Sequence, residues 1–308
     1  MFKISKYSHV RFNLILLPAL FVLCHGAWSL AAAAGNGETN KGADSTASIS
    51  SAKKEKIPVG IQLYAVRGAF AKDVTGTLRK LAEMGYEGVE FWGYGGGPNV
   101  FKNWTAERLR KELDRVGLKC CGMHLKTETL IGDAFNRTVE INKVLGNKYL
   151  IIAADRKRMS SPEAIGQFAK LLNDAARRAK KLGMRVGYHS HGFDMKQFDG
   201  RTAWEILFSQ TTPDVIMQLD TGNCAYGGGN PKSILKQFPN RATTLHLKEY
   251  QGATLTADNR HFLEIFRLAE TSQGTRWYIV EQGDGKGLDF DVPRKALEGI
   301  RRMGRGNK

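Results

Sequence analysis

Residues 161–191 read SPEAIGQFAKLLNDAARRAKKLGMRVGYHSH. Ser161 is suited to cap a helix and Pro162 to sit in its first turn, and a 3.6-periodic run follows to about residue 182. Leu182-Gly183-Met184 ends it, because glycine takes the left-handed backbone position just past a helix at no steric cost. Arg185–His189 then reads as a short strand, and it runs out into His189-Ser190-His191.

The same helix–glycine–strand phrase recurs at Met84-Gly85-Tyr86 and Val116-Gly117-Leu118. Candidate strands are Val59–Leu63, Gly88–Phe91, Leu118–His124, Tyr149–Ala153, Arg185–His189, Val215–Leu219, Thr243–Leu247 and Trp277–Glu281. Helical patterns lie near 73–84, 105–116, 134–145, 162–182, 201–209, 231–238, 258–272 and 293–302. Strands that alternate with helices imply a parallel sheet, and eight such units in roughly 250 residues favour a closed (β/α)8 TIM barrel over an open doubly wound sheet. One α/β domain over residues 56–308 is therefore expected, with no sign of a second. No GxGxxG or Walker A sequence follows the first strand, so nucleotide binding is not indicated.

Ahead of the domain, Lys3, Lys6 and Arg11 precede the apolar run Phe12–Leu23, and Ala31–Ala34 follow. That is the layout of a secretory signal peptide over residues 1–34, with an uncleaved anchor helix as the alternative. Residues 35–55, rich in Gly, Ser, Thr, Asn, Ala and Lys, read as a flexible linker. The expected location is periplasmic or extracellular, with no membrane span in the mature chain.

Loss of the leader removes three positive charges, taking the formal net charge from +16 to +13. A polyanion partner is one reading of that balance. A solvated Lys/Arg-rich surface is favoured, because the charges sit in mixed helical stretches such as residues 107–112 and no basic run is interleaved with aromatics. No nucleic acid is expected as a partner. Beyond the leader three cysteines remain, Cys120, Cys121 and Cys224. An odd number that includes a vicinal pair is no disulfide framework, and the pair is expected to lie buried in the barrel wall.

In such a barrel the chemistry sits at the C-terminal ends of the strands. The second strand ends in Glu90, the third in His124, the fifth in His189-Ser190-His191 and the sixth in Asp220. The seventh carries His246 and then Lys248, and the eighth ends in Glu281. Five histidines lie beyond the leader, and only His261, inside a helical pattern, is away from a strand end. One histidine at a strand end is ordinarily a hydrogen-bonded structural residue. Imidazoles and carboxylates at one depth on several strands are what a divalent metal ion needs.

Five segments carry a family resemblance: Val89-Glu90-Phe91-Trp92-Gly93, Gly187–Asp194, Gln218-Leu219-Asp220-Thr221-Gly222-Asn223, Leu245-His246-Leu247-Lys248 and Ile279-Val280-Glu281-Gln282. Over residues 57–302 the chain resembles the sugar phosphate isomerase/epimerase family, whose fold is the xylose-isomerase-like barrel. The resemblance implies one Mn, Mg, Co or Zn ion held by Asp220, His246, Glu281 and a residue of the fifth strand. That last position is usually Glu, and here a histidine replaces it. His189 is chosen as the ligand, with His191 left for proton transfer or support.

The resemblance implies a metal-dependent isomerase or epimerase that abstracts a proton next to a carbonyl of a small carbohydrate, with Glu281 as base and His191, Lys248, Glu90 and His124 as further catalytic candidates, and with a lyase as the alternative. Trp92 is a candidate for stacking on a sugar ring. A histidine in place of one of two carboxylates weakens symmetric epimerisation and suits isomerisation or C–O elimination from a keto-glycoside, by a lyase or hydratase. A sugar-binding barrel without catalysis is the alternative from another class. An endonuclease IV type of nuclease fits worst, since Asn223 stands where that type carries a zinc-binding histidine. A homo-oligomer is compatible with all of these readings.

Overall fold

The structure, a computed structural model, describes residues 56–256 and 259–307. The expected leader at 1–34 and linker at 35–55 lie outside the described residues. Eight strands form one parallel sheet: β1 (Val59–Gln62), β2 (Gly88–Tyr94), β3 (Lys119–Leu125), β4 (Tyr149–Ile152), β5 (Arg185–His189), β6 (Ile216–Gln218), β7 (Thr244–Leu247) and β8 (Trp277–Val280). Neighbours run β6-β5-β4-β3-β2-β1-β8-β7, and an isolated parallel bridge between Asp220 and His246 brings the two ends together. The barrel predicted from the strand–helix alternation is therefore present and nearly closed.

The helices on its outside are α1 (Val74–Met84), α2 (Ala106–Val116), α3 (Gly132–Leu145), α4 (Pro162–Lys180), α5 (Ala203–Gln210), α6 (Pro231–Gln237), α7 (Arg260–Leu268) and α8 (Asp291–Arg302). In α4 the Ser161 hydroxyl accepts a hydrogen bond from the Ala164 amide at 3.2 Å, as its cap position requires. Ile165, Phe168, Ala169, Leu172, Ala175, Ala176 and Ala179 recur at three- and four-residue spacing and are buried. That single apolar stripe fixes which side of the helix meets the sheet. Gly85, Gly117 and Gly146 end α1, α2 and α3 with φ of 95°, 75° and 71°, the left-handed conformation their sequence positions suggest. No helix among the described residues is long and apolar enough to cross a membrane.

Two departures from the expected boundaries bear on the site. β2 runs on to Tyr94 instead of stopping at Phe91, and its register with β3 shifts between Val89 and Glu90. Val89 pairs with Cys120 but Glu90 pairs with Gly122, so Cys121 is the extra residue of a bulge. A Cβ on Gly122 would lie 2.1 Å from Glu90 Oε1, so the bulge and the missing side chain together open the space that the Glu90 carboxylate occupies. Cys120 and Cys121 are buried free thiols in the wall, and burial pushes the Cys120 thiol up to about 12. The second departure follows β5, where a helical turn (Gly192–Met195) and a two-residue ribbon (Gln197–Phe198 with Arg201–Thr202) precede α5.

Candidate metal centre and active site

The strand ends deliver His189, Asp220, His246 and Glu281 to one place, with one ligand-type atom from each lying within 4.8 Å of the others. Hydrogen bonding sets which atoms those are. His246 Nε2 lies 2.7 Å from Glu90 Oε2, and its Nδ1 lies 2.9 Å from Glu281 Oε2 and 3.9 Å from Asp220 Oδ2. An ion that displaced the Nδ1 proton would leave the Nε2 proton on Glu90 and turn the Nδ1 lone pair into the cluster, as in the carboxylate–histidine pairs that orient metal ligands. His189 Nδ1 lies 3.1 Å from Gln218 Oε1, an acceptor only, so this nitrogen carries the proton and Nε2 keeps its lone pair. That Nε2 lies 3.7 Å from Glu281 Oε2.

Asp220 supplies the fit test for a cation. Its Oδ1 accepts from the Asn223 amide at 2.6 Å and so caps the short helix Thr221–Tyr226. Its Oδ2 is buried and has no hydrogen-bond partner among the described residues. A buried carboxylate oxygen left bare costs roughly 1–3 kcal/mol, more for a charged group, unless something not a hydrogen-bond donor meets it. Burial and then the neighbouring Glu281 charge push the Asp220 carboxyl up to about 7. A divalent cation between two carboxylates would reverse that repulsion. Two imidazole nitrogens and two carboxylates are an appropriate donor set for such an ion. The residues therefore fit.

Below this cluster lies a polar layer in which each member supports another. Glu90 accepts from Gln62 Nε2 at 2.9 Å, Gln218 Nε2 at 2.9 Å and His246 Nε2 at 2.7 Å, and His124 Nε2 lies 3.1 Å from it. Burial opposes its ionisation, but the His124 and His246 imidazoles more than offset that and hold the carboxyl well below its usual range. Gln218 is the hub. Its amide nitrogen donates to Glu90 and to Thr244 Oγ1 at 2.9 Å, and its oxygen accepts from His124 at 2.8 Å and from His189. On His246, burial works against the charged form, but the Glu90 and Glu281 carboxylates prevail and raise it to about 10. His189 has no such partner at Nδ1, and burial and the His246 charge hold it well below 6.5.

Glu90 and His124 were expected to act on substrate. The carboxylate of Glu90 has no exposed surface and all its bonds run to the barrel interior, and His124 is nearly as deep. In this structure they hold His246 and Gln218 in place. His191 is half-buried beyond the end of β5, on the same side as His189, their rings 5.1 Å apart. Its backbone amide donates to Asp194 Oδ2 at 2.7 Å, its Nδ1 is unpartnered, and burial lowers the imidazole to about 4. His191 is not among the four clustered groups. Lys248 Nζ reaches Asn223 Oδ1 at 3.0 Å and Glu281 Oε1 at 3.4 Å. Trp92, half-buried, packs on Phe101 and Phe70 and meets the exposed Tyr64 edge-on at 6.0 Å. His261 lies exposed on α7.

Gln62, Gln218 and Thr244 had not been singled out from the sequence. The signal was available: Gln218 and Thr244 each precede a candidate ligand by two residues, and alternate residues of a strand share a face.

Comparison with known proteins agrees with this geometry. A family model described as a xylose isomerase-like TIM barrel matches residues 78–301. An inosose dehydratase of Geobacillus kaustophilus is 35% identical over 238 residues, which is 69% of this chain and 72% of the relative. A sugar phosphate isomerase/epimerase from Parabacteroides distasonis superposes with a TM-score of 0.70 at 23% identity, covering 82% of this chain and 98% of that one. A D-allulose 3-epimerase from Methylomonas sp., solved with D-allulose, gives a TM-score of 0.59 at 15% identity over 81% of this chain and 98% of its own. At these identities the two structures speak to the fold alone. With most of its barrel matched and its strand ends arranged in this way, the chain belongs to the xylose isomerase-like TIM-barrel family of enzymes.

Proposed function

We propose that this chain is a divalent-metal-dependent enzyme that takes a proton from the carbon next to a carbonyl of a carbohydrate, and that the reaction is completed by loss of an oxygen substituent from the following carbon. This is C–O lyase chemistry, the dehydration of a keto-polyol being its simplest form. The observation that carries the reading is that, of the carboxylates gathered at the cluster, that of Glu281 alone has exposed surface. Glu90 and Asp220 side chains are 0% exposed, while that of Glu281 is 14% exposed. Symmetric epimerisation needs a base on each face of the substrate. Here the groups beside Glu281 are Lys248 and His191, a cationic donor and an imidazole. The likeness to an inosose dehydratase supports the same choice.

An ion held by His189 Nε2, Asp220 Oδ2, His246 Nδ1 and Glu281 would polarise the substrate carbonyl and so acidify its α-carbon. Glu281 Oε2 faces the imidazoles and Oε1 faces Lys248 Nζ. Oε1, which meets only Lys248 Nζ among the described residues, is thus the oxygen placed to accept the α-proton. Lys248, tied to Asn223, and His191 are the donors on hand for the departing oxygen. The N-terminal sequence, basic, then apolar, then small, supports an enzyme working outside the cytoplasm on an unphosphorylated substrate.

The test is a proton-exchange assay. Purified protein should contain a divalent metal at about one per chain and should wash deuterium from D2O into a keto-polyol with release of water. Glu281→Gln should bind the same compound without exchange. Metal-free protein that binds the sugar unchanged, or exchange that persists in Glu281→Gln, would overturn the reading.

A further inference from the structure

A cavity of about 550 Å³ opens beside the mouth. Its walls come from the same three segments that deliver Asp220, Lys248 and Glu281. Tyr226 ends the short helix that Asp220 caps, Glu249 follows Lys248, and Gln282 follows Glu281. Two of the lining residues are therefore a single peptide step, about 3.8 Å between Cα atoms, from the residues assigned to acid–base work.

The lining has a definite chemistry. Tyr226 is 71% exposed, an aromatic ring offered to solvent. Its position is held from behind: a Cβ on Gly227 would lie 2.3 Å from the Gly192 carbonyl oxygen, so the backbone after Tyr226 sits directly on the turn that follows β5. On the far side Glu249 Oε1 accepts from Thr254 Oγ1 and from the Leu255 amide, each at 2.7 Å, which folds the β7 loop over the cavity. Gln282 Oε1 accepts from the Glu249 amide at 3.1 Å and joins the two loops. Although the chain carries a net charge of +16, none of the described residues that line this cavity is Lys or Arg, and the one charged group among them is Glu249. That lining offers an anion no cationic partner and suits a neutral, hydroxyl-rich ligand with an apolar face for the tyrosine. The volume falls within the range of small-molecule sites, about 300–1,000 Å³.

We infer that the cavity is a second carbohydrate subsite, so that the substrate is a glycoside with its keto ring at the metal cluster and its second sugar against Tyr226. The inference rests on the lyase reading above and specifies its leaving group. The balance is that of a β-elimination. The bond from the α-carbon to hydrogen breaks and its proton goes to Glu281. A carbon–carbon double bond forms, and the glycosidic C–O bond breaks. The departing sugar oxygen takes up one proton and leaves as a free hydroxyl, with no oxidant or reductant consumed.

The experiment compares kcat/KM of the metal-loaded protein for a keto-disaccharide and for the methyl glycoside of the same keto ring. The disaccharide should be preferred about tenfold or more, equivalent to roughly 1.4 kcal/mol. Tyr226→Ala should reduce that preference to about twofold or less, and Tyr226→Phe, which keeps the ring, should retain it. Gln251→Ala, an exposed residue of the same lining, should also narrow the ratio, and it covers the case in which Tyr226→Ala does not fold. Equal kcat/KM for the two substrates, or a Tyr226→Ala loss that is the same for both, would overturn the subsite and leave the lyase reading standing. Turnover of neither compound would sink both.

Discussion

The two halves of the barrel mouth use the same residue types for opposite purposes. From β5 to β8, His189, Asp220, His246 and Glu281 turn ligand-type atoms toward one point. From β1 to β3, Gln62, Glu90 and His124 turn toward one another and toward the backs of those side chains. β4 offers neither, since it ends in the buried apolar residues Ile151 and Ile152. A histidine or glutamate at a strand end is thus not a ligand by virtue of its type. What decides is whether its polar atoms already have protein partners. Glu90 accepts three hydrogen bonds and is spent, whereas Asp220 keeps one oxygen bare.

Substitutions that move a residue from one role to the other test that division. His246→Ala removes the one side chain belonging to both halves. It should abolish metal retention and lower kcat/KM about a thousandfold or more, roughly 4 kcal/mol in the barrier; elemental analysis and steady-state rates check it. Retained metal would mean that the cluster does not depend on this imidazole.

Glu90→Gln keeps shape but removes the anion that takes the His246 Nε2 proton. Metal affinity should fall about 10–100-fold, the usual cost of losing such a partner. Metal titration by calorimetry distinguishes this from a substrate effect, because KM measured at saturating metal should change little. Gly122→Ala attacks the same carboxylate sterically, with its Cβ 2.1 Å from Glu90 Oε1. It should destabilise the fold by about 1–3 kcal/mol, seen as a lowered Tm, and weaken metal binding in parallel. Gln218→Leu tests the hub more gently. It leaves Glu90 with His246, His124 and Gln62 and frees the His189 Nδ1 proton, so a loss of metal affinity of about tenfold is expected. A larger loss than for Glu90→Gln would mean that the His189 tautomer matters more than that of His246.

These contrasts mark how far the sequence could be read. Strand–helix alternation with glycine stops was enough for the barrel, because each βα unit carries its own cap, stripe and terminator, as Ser161 to His189 does. The polar ends of β5 to β8 were legible because strand ends converge by topology alone. His189 and His191 were harder to separate. A period of two gives both the same face, but β5 ends at His189 and His191 already belongs to the turn built on Asp194. The deep role of Glu90 and His124 was illegible for a different reason. It depends on a bulge at Cys121 and on the absent side chain of Gly122, which only the pairing of β2 with β3 creates. Gln218 carried no signal by type, and its importance lies wholly in four long-range bonds.

The meeting of β6 and β7 has a further consequence. There the Asp220–His246 bridge joins the two ends of the sheet, helped by amide bonds from His246 to the Leu219 carbonyl and from Met217 to the Arg241 carbonyl, each 2.9 Å. The same two residues would share the ion. A cation seated between them would act as a clasp on the seam of the barrel, and its affinity would become mechanical closure. By linkage, free ion at a hundred times its dissociation constant adds about 2.7 kcal/mol to folding. Much of that should be felt locally, as slower amide exchange at His246 and Met217, so that such an ion would also button the wall that surrounds it.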